Sequence, residues 1–275
     1  MKKRIAILCL LAMLFSLGAC GSHNGPGGLP GPTNGETAAN GSAEPQGDPL
    51  QVRVIRGAGT GQLVLAGINS GEVYTANETE LTVYLDGKTA APSDLENGML
   101  LAIDPGCTVL ESWPAQLVGA TVRAYSKPAD RNDHGDLCGL YLQVLEDLWK
   151  DDSGLNSDIT YVSVDLGNAP GALTEGEKAA IAWVFSGAHD KQGLRFSFEE
   201  LKENGYIDES ALYWEDGVLL SIKKAEKGSD SPQKISFDAQ KWRSGLGAVF
   251  YMDCAAERGN GVQWEPYKTG SFAIS

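Results

Sequence analysis

Leu137-Cys138-Gly139-Leu140-Tyr141-Leu142-Gln143-Val144-Leu145-Glu146-Asp147-Leu148-Trp149-Lys150 is where this chain changes its period. Leu137, Leu140, Tyr141, Val144, Leu145 and Leu148 recur three and four residues apart, the spacing of one buried helix face. That predicts an amphipathic helix over 136–150. Upstream, from Leu50 to about Lys127, the apolar residues instead alternate or come in short runs: Val52 to Ile55, Leu63 to Leu65, Leu81/Val83/Leu85, Met99 to Ile103, Cys107 to Leu110 and Val118 to Tyr125. Asp86-Gly87 supplies a hairpin turn. Short strands with no crossover helix between them predict a small antiparallel barrel or sandwich over 50–130.

Downstream, Ile159 to Val164 reads as a strand. Thr174 with Glu177, and Ser197 with Glu200, are capping boxes, each opening a helix. The first of these helices should bury Ala180, Ile181, Val184, Phe185 and Ala188, and Gly205 should stop the second. Asp216-Gly217 is a hairpin signal between Tyr213-Trp214 and Val218-Leu219-Leu220. Further strands are expected at Ile235 to Ala239, Ala248 to Cys254, Val262 to Trp264 and Phe272 to Ile274, with Asn260-Gly261 turning the last hairpin. Helices first and strands last predict an α+β part over 131–275, with helices on one face of a curved antiparallel sheet. A cystatin- or NTF2-like layout is one candidate. The chain as a whole is therefore read as α+β.

The amino terminus carries an address. Lys2, Lys3 and Arg4 precede an uncharged run from Ile5 to Phe15 and a short region of mostly small residues, Ser16 to Ala19. That order describes a secretory signal peptide over 1–19. The uncharged stretch ends at Ala19, short of the roughly 20 residues a spanning helix needs. Gly21 to Pro49 holds eight Gly and five Pro and no aromatic residue, too little apolar surface to offset ordering entropy. It is read as a flexible tether, roughly 30 Å in root-mean-square span, and His23 as solvated filler within it.

Leu17-Gly18-Ala19-Cys20 resembles the lipobox of bacterial lipoproteins. The resemblance implies that Cys20 becomes the first mature residue and carries a diacylglyceryl thioether with palmitate-type chains, a stable anchor because two chains hold where one does not. The OB-type barrel is similar in strand order and length to the 50–130 segment. The 137–275 half, with its Thr174 and Ser197 helix starts and Trp242-Arg243-Ser244-Gly245, resembles part of lipoproteins from Gram-positive anaerobes. That resemblance implies a location and no particular activity.

Charge narrows the partners. The chain has 22 basic and 36 acidic residues, net −14, and loss of the three leader cations leaves a mature net charge of −17. Such a body is repelled by anionic headgroups, so the lipid must hold it to the membrane. Residues 50–130 hold five basic and nine acidic residues, which argues against nucleic acid.

Several constellations imitate functional sites. Asp130, Asn132, His134 and Gly135 begin like a calcium loop, but Tyr141 stands where the bidentate Glu belongs. Asp151, Asp152 and Asp158 around Gly154 lack that spacing and read as a turn. His134 and Cys138 suggest a zinc or nucleophile pair, yet Cys138 falls on the apolar stripe of its helix. Ser186, His189 and Asp190 lack a nucleophile elbow, and His189 is better read as a helix end. Arg56-Gly57-Ala58-Gly59-Thr60-Gly61 looks like a phosphate loop without its Lys-Ser/Thr and reads as a turn. Cys107, Cys138 and Cys254 allow at most one internal disulfide, and spacing does not choose it. The sequence calls for no catalytic residue, metal or cofactor.

Five of the six tryptophans lie at or after Trp149. Trp214 and Trp264 are the candidates for stacking on a ligand. The leading expectation is a lipid-anchored extracytoplasmic lipoprotein on the outer face of the cell membrane. It would act as a non-enzymatic binding module for an envelope protein, peptide or glycan. The alternatives are an enzyme acting on cell-envelope glycans through carboxylates such as Glu215 and Asp216, and capture of a small sugar or peptide by the 131–275 part.

Overall fold

The computed structural model describes residues 47–127, 130 and 132–275. The expected signal peptide over 1–19, Cys20, and the tether up to residue 46 lie outside the described residues. The described part belongs to one compact unit, Glu44–Ser275, and no helix in it is long and apolar enough to cross a membrane.

The fold is α+β, mostly sheet with three α-helices. Nine strands come first: β1 (Leu50–Arg56), β2 (Gln62–Gly67), β3 (Val73–Asn77), β4 (Thr82–Leu85), β5 (Lys88–Ala90), β6 (Leu100–Ile103), β7 (Thr108–Leu110), β8 (Ala115–Val118) and β9 (Thr121–Ala124). They pair in the order β5-β4-β9-β6-β1-β2-β3-β8-β7. This is an open path, and no closed barrel is found among the described residues. Nor is the pairing antiparallel throughout, because β3/β8 and β4/β9 run parallel. The cause is local. The stretch read as one strand, Val118 to Tyr125, belongs to two, because the chain turns at Gly119 with φ +64°. Each half then finds different neighbours. Asp86 and Gly87 do turn the β4/β5 hairpin, with φ +51° and +77°.

The second sheet contains β10 (Tyr161–Asp165), β11 (Gln192–Leu194), β12 (Gly217–Lys224), β13 (Asp230–Ser231), β14 (Lys234–Ser244), β15 (Gly247–Glu257) and β16 (Ser271–Ile274). Their order is β11-β10-β12-β14-β15-β16, with β13 beside β14. It is mixed, since β10 runs parallel to both β11 and β12. The connection from β10 to β11 passes through α2 (Glu175–Ala188), which permits a parallel return.

The helix at the period change is α1 (Leu137–Lys150). Asp136 caps it by accepting the Gly139 N–H at 3.0 Å. At the other end the buried Lys241 ammonium donates to the carbonyls of Trp149, Asp151 and Asp152, satisfying groups a helix end leaves open. Both capping boxes form: Thr174 Oγ1 accepts the Glu177 N–H at 3.2 Å, and Ser197 Oγ accepts the Glu200 N–H at 3.3 Å at the start of α3 (Phe198–Glu203).

α1 and α2 cover one sheet face, burying Tyr141, Leu145, Ile181 and Phe185 against Val162, Leu220, Phe237 and Val249. The same core takes Ile55, Ala66 and Val73 from β1–β3. α2 is therefore buried on two sides. Its Gly176 lies so close to β2 that a Cβ would stand 2.3 Å from the Gly67 carbonyl oxygen. Ala188, expected in the buried stripe, is exposed at the helix end. The helices do not all share one face either. Leu201 of α3 packs on the opposite side with Trp214, Leu219, Trp242 and Ala248.

One turn expectation and one strand expectation are corrected. Gly217 opens β12 rather than a hairpin. Asp216 Oδ1 accepts the Thr160 N–H at 2.8 Å and so sets β12 beside β10. A Cβ on Gly217 would sit 2.1 Å from the Trp214 ring; the glycine serves close packing. Val262 to Trp264 is not a strand, and only a single bridge joins Arg258 to Trp264.

Candidate functional site

The polar side of α1 forms the floor of a groove of about 690 Å3. Asp136, Gly139, Gln143 and Asp147 stand along it at helical spacing, with Leu140 at the margin where this face meets the main core. Residues 263–267 and Thr269 make the opposite wall, and Asn97 closes one side. Gln263 Nε2 donates to the Asn97 carbonyl at 2.8 Å, tying that wall to the first sheet's loop. A second hollow of about 440 Å3 shares Asn97, Gly139 and Gln143 and continues toward Arg56, Glu146 and His189.

Two rings line the groove with their polar ends tied to the protein. Trp264 Nε1 donates to the His134 carbonyl at 2.8 Å, and Tyr267 Oη donates to Asp147 Oδ2 at 2.9 Å. Burial first, and then the bond to Asp147, pushes the Tyr267 hydroxyl pKa well up. Trp264 is half-buried at the edge of the main core. The ring positions are thus fixed before any ligand arrives.

Behind the groove, segment 133–136 is held by a buried charge network. Arg53, on β1, donates to Glu177 Oε1 at 2.6 Å, to Asp133 Oδ1 at 2.8 Å and to the carbonyls of Gly98 and Gly135. His134 Nε2 lies 3.3 Å from the same Glu177 oxygen. The other Glu177 oxygen accepts the Thr174 N–H, so one side chain both caps α2 and pairs with Arg53. Burial would raise the Glu177 pKa, but His134, Arg53 and the Thr174 N–H outweigh it and hold it at about 2. Arg258 donates to the Asp133 carbonyl and to the Gly261 carbonyl. Gly135, at φ +58°, fits where a Cβ would meet the Val262 oxygen at 2.3 Å.

Asp136 joins network and groove. Only 7% exposed, it is pushed by burial up to a pKa of about 7, against the pull of the Gly139 N–H and the Arg53 charge. Asp136 has no role in the sequence reading. Its signal was present, since Asp136, Gln143 and Asp147 form the polar stripe opposite the apolar one.

The other candidates have structural partners. Trp214 is 1% exposed, packed edge-on against Tyr206 at 5.8 Å, and presents no face to a ligand. Glu215 and Asp216 lie in the turn before β12, away from the groove; the Glu215 carbonyl accepts from Arg243. Ser186 donates to the Trp183 carbonyl, while His189 caps the end of α2, bonds Glu146 at 3.0 Å and stacks on Trp149 at 4.3 Å. The Asp130 carboxylate accepts the Asn132 N–H at 2.8 Å in a local turn. Asp151 Oδ2 accepts from the Tyr251 hydroxyl. Cys138 is fully buried with its thiol pKa raised by burial. Cys107, Cys138 and Cys254 are free thiols. Among the described residues, no group of three or more His, Cys, Asp or Glu is placed to hold a metal ion.

The glycine-rich loop has an anion of its own. The Gly59 and Gly61 N–H groups donate to the two Glu78 oxygens at 2.8 and 2.7 Å. A carboxylate from this chain fills the place a phosphate would take.

A scan against protein-family models found no match to this chain, and a search of curated proteins found none.

Proposed function

We propose that the protein is a lipid-anchored extracytoplasmic binding module. Cys20 would carry the lipid, residues 21–49 the tether, and the α1 groove the ligand. The observation that carries the binding reading is the pair of rings, Trp264 and Tyr267, each pinned by a hydrogen bond on the wall of an open groove. Rigid aromatic surface beside amide and carboxylate side chains is the make-up of a recognition site. The reading of a binder rather than a catalyst is supported by Ser186, His189, His134 and Asp216, each of which makes a hydrogen bond or ion pair that holds the fold. An envelope glycan, peptide or protein is the class of partner, and the outer face of the cell membrane the location.

The finer fold reading is an OB-like strand order in the first sheet. It is supported by antiparallel β1/β2, β2/β3, β1/β6 and β6/β9 pairs with a parallel β3/β8 pair, β8 and β9 being separated only by Gly119-Ala120.

The test combines address and capture. Intact-mass analysis of the native full chain should find a lipid on Cys20, and Cys20→Ser should release the protein from the membrane fraction. The wild-type chain should recover an envelope component that the Trp264→Ala chain does not. An unmodified leader, or equal recovery by both chains, would overturn this reading.

A further inference from the structure

We propose that the α1 groove takes a saccharide bearing a free amine, its ring stacked on Trp264 and its ammonium at Asp136. The inference rests on the groove being a ligand site and adds the ligand's chemistry.

Asp136 sets the charge. Its Oδ1 accepts the Gly139 N–H, while Oδ2 has no hydrogen-bond partner among the described residues. The residue is more than nine-tenths buried yet lines the groove. Oδ2 is open to solvent at the groove wall, since no buried side-chain oxygen among the described residues lacks a partner, and a ligand ammonium can replace water there with a charge-assisted hydrogen bond. Behind it, Arg53 is already matched by Asp133 and Glu177, and the Arg258 guanidinium is engaged by the backbone carbonyls of Asp133, Pro232 and Gly261. Of the other carboxylates, Asp147 is engaged by Tyr267, Gln143 and Lys150, and Glu265 is exposed on the rim. No Lys, Arg or His is among the described residues lining this groove. An anionic ligand would meet repulsion there, and an ammonium would not.

The ring and the amides favour a sugar over a peptide. The half-buried Trp264 offers a fixed flat face for the C–H face of a pyranose. Asn97, Gln143 and Gln263 bring amide side chains, each with donors and an acceptor, which suits hydroxyl groups that both give and accept. The volume, about 690 Å3, is that of a site for a small ligand.

The experiment is calorimetric titration of the full chain in detergent micelles with three probes: a β-1,4-linked glucosamine trimer, its fully N-acetylated form, and trilysine. The amine trimer should bind at least about tenfold more tightly than the acetylated trimer, as expected for one charge-assisted hydrogen bond. Asp136→Asn, which keeps a competent helix cap, should erase that preference, and Trp264→Ala should weaken both sugars. The wild-type comparison stands even if a variant fails to fold. Equal binding of the two trimers, or a retained preference in Asp136→Asn, would overturn the amine assignment and leave the groove as a binding site. Tighter binding of trilysine would overturn the saccharide. Binding of none of the three would overturn the inference, while recovery of an envelope component lost with Trp264→Ala would still uphold the binding reading.

Discussion

Trp264 and His134 are 130 positions apart in the chain, and the indole N–H of one meets the backbone carbonyl of the other at 2.8 Å. The His134 side chain turns the other way, to Glu177, beneath which Arg53 sits. One short segment thus fixes an aromatic wall on its outer side and anchors a buried ion cluster on its inner side. Trp264→Phe keeps a ring and removes the donor. We expect a loss of about 1 kcal/mol in urea unfolding, the worth of one hydrogen bond, together with weaker ligand binding because the ring is no longer held. Unchanged affinity would mean that pinning the ring does not matter.

Arg53 is the residue whose loss should cost most. Arg53→Met leaves the buried Asp133 and Glu177 carboxylates without the guanidinium that pairs with both. Breaking a buried pair in this way costs about 3–5 kcal/mol, to be read from denaturant unfolding. A change within experimental scatter would show that water reaches these carboxylates in solution.

Asp136 gives the stability a pH slope. Its native pKa, about 7, lies above the ordinary 3.8, so the native state holds an extra proton between those values. Stability from this group is therefore full at low pH and declines as pH rises toward 7, at about 1.4 kcal/mol per pKa unit at most. Glu177 works in the opposite sense: held at about 2 against an ordinary 4.5, it stabilises above pH 4.5 and loses that contribution as pH falls. Urea unfolding at pH 5 and pH 8 should show the wild-type chain weaker at pH 8, with the difference reduced in Asp136→Asn. An undiminished difference in the variant would assign the slope to other groups.

Glu78 is the internal anion of the glycine-rich loop. Glu78→Ala removes the acceptor from the Gly59 and Gly61 N–H groups. Because both glycines are exposed, water replaces part of the loss, and about 1–2 kcal/mol of destabilisation is expected. Amide exchange at residues 57–61 should speed up while exchange in α1 stays unchanged. Unaltered exchange in the loop would rule out Glu78 as its organiser.

The legible parts of the fold are those written in neighbouring residues. α1 announced itself through its apolar stripe, α2 and α3 through capping boxes, and β4/β5 through Asp86-Gly87. Parallel pairing was not legible, since β10 meets β11 and β12 without any turn that marks the meeting. Asp216-Gly217 misled for a physical reason: the glycine is there to admit the Trp214 ring, which sequence cannot distinguish from a turn. The site was half visible. Trp264 was singled out and lines the groove, but Trp214 looked the same in sequence and lies in the aromatic core. Arg53 gave no signal at all, because its partners lie 80 and 124 positions away.

The most direct measurement is a 15N–1H spectrum of the tryptophan indoles of the full chain, recorded while the glucosamine trimer is added. The account predicts that the Trp264 indole signal moves saturably while the signal of Trp214, enclosed in its aromatic cluster, stays in place. A saturating ligand that leaves Trp264 unmoved, or a spectrum that never responds, would contradict it.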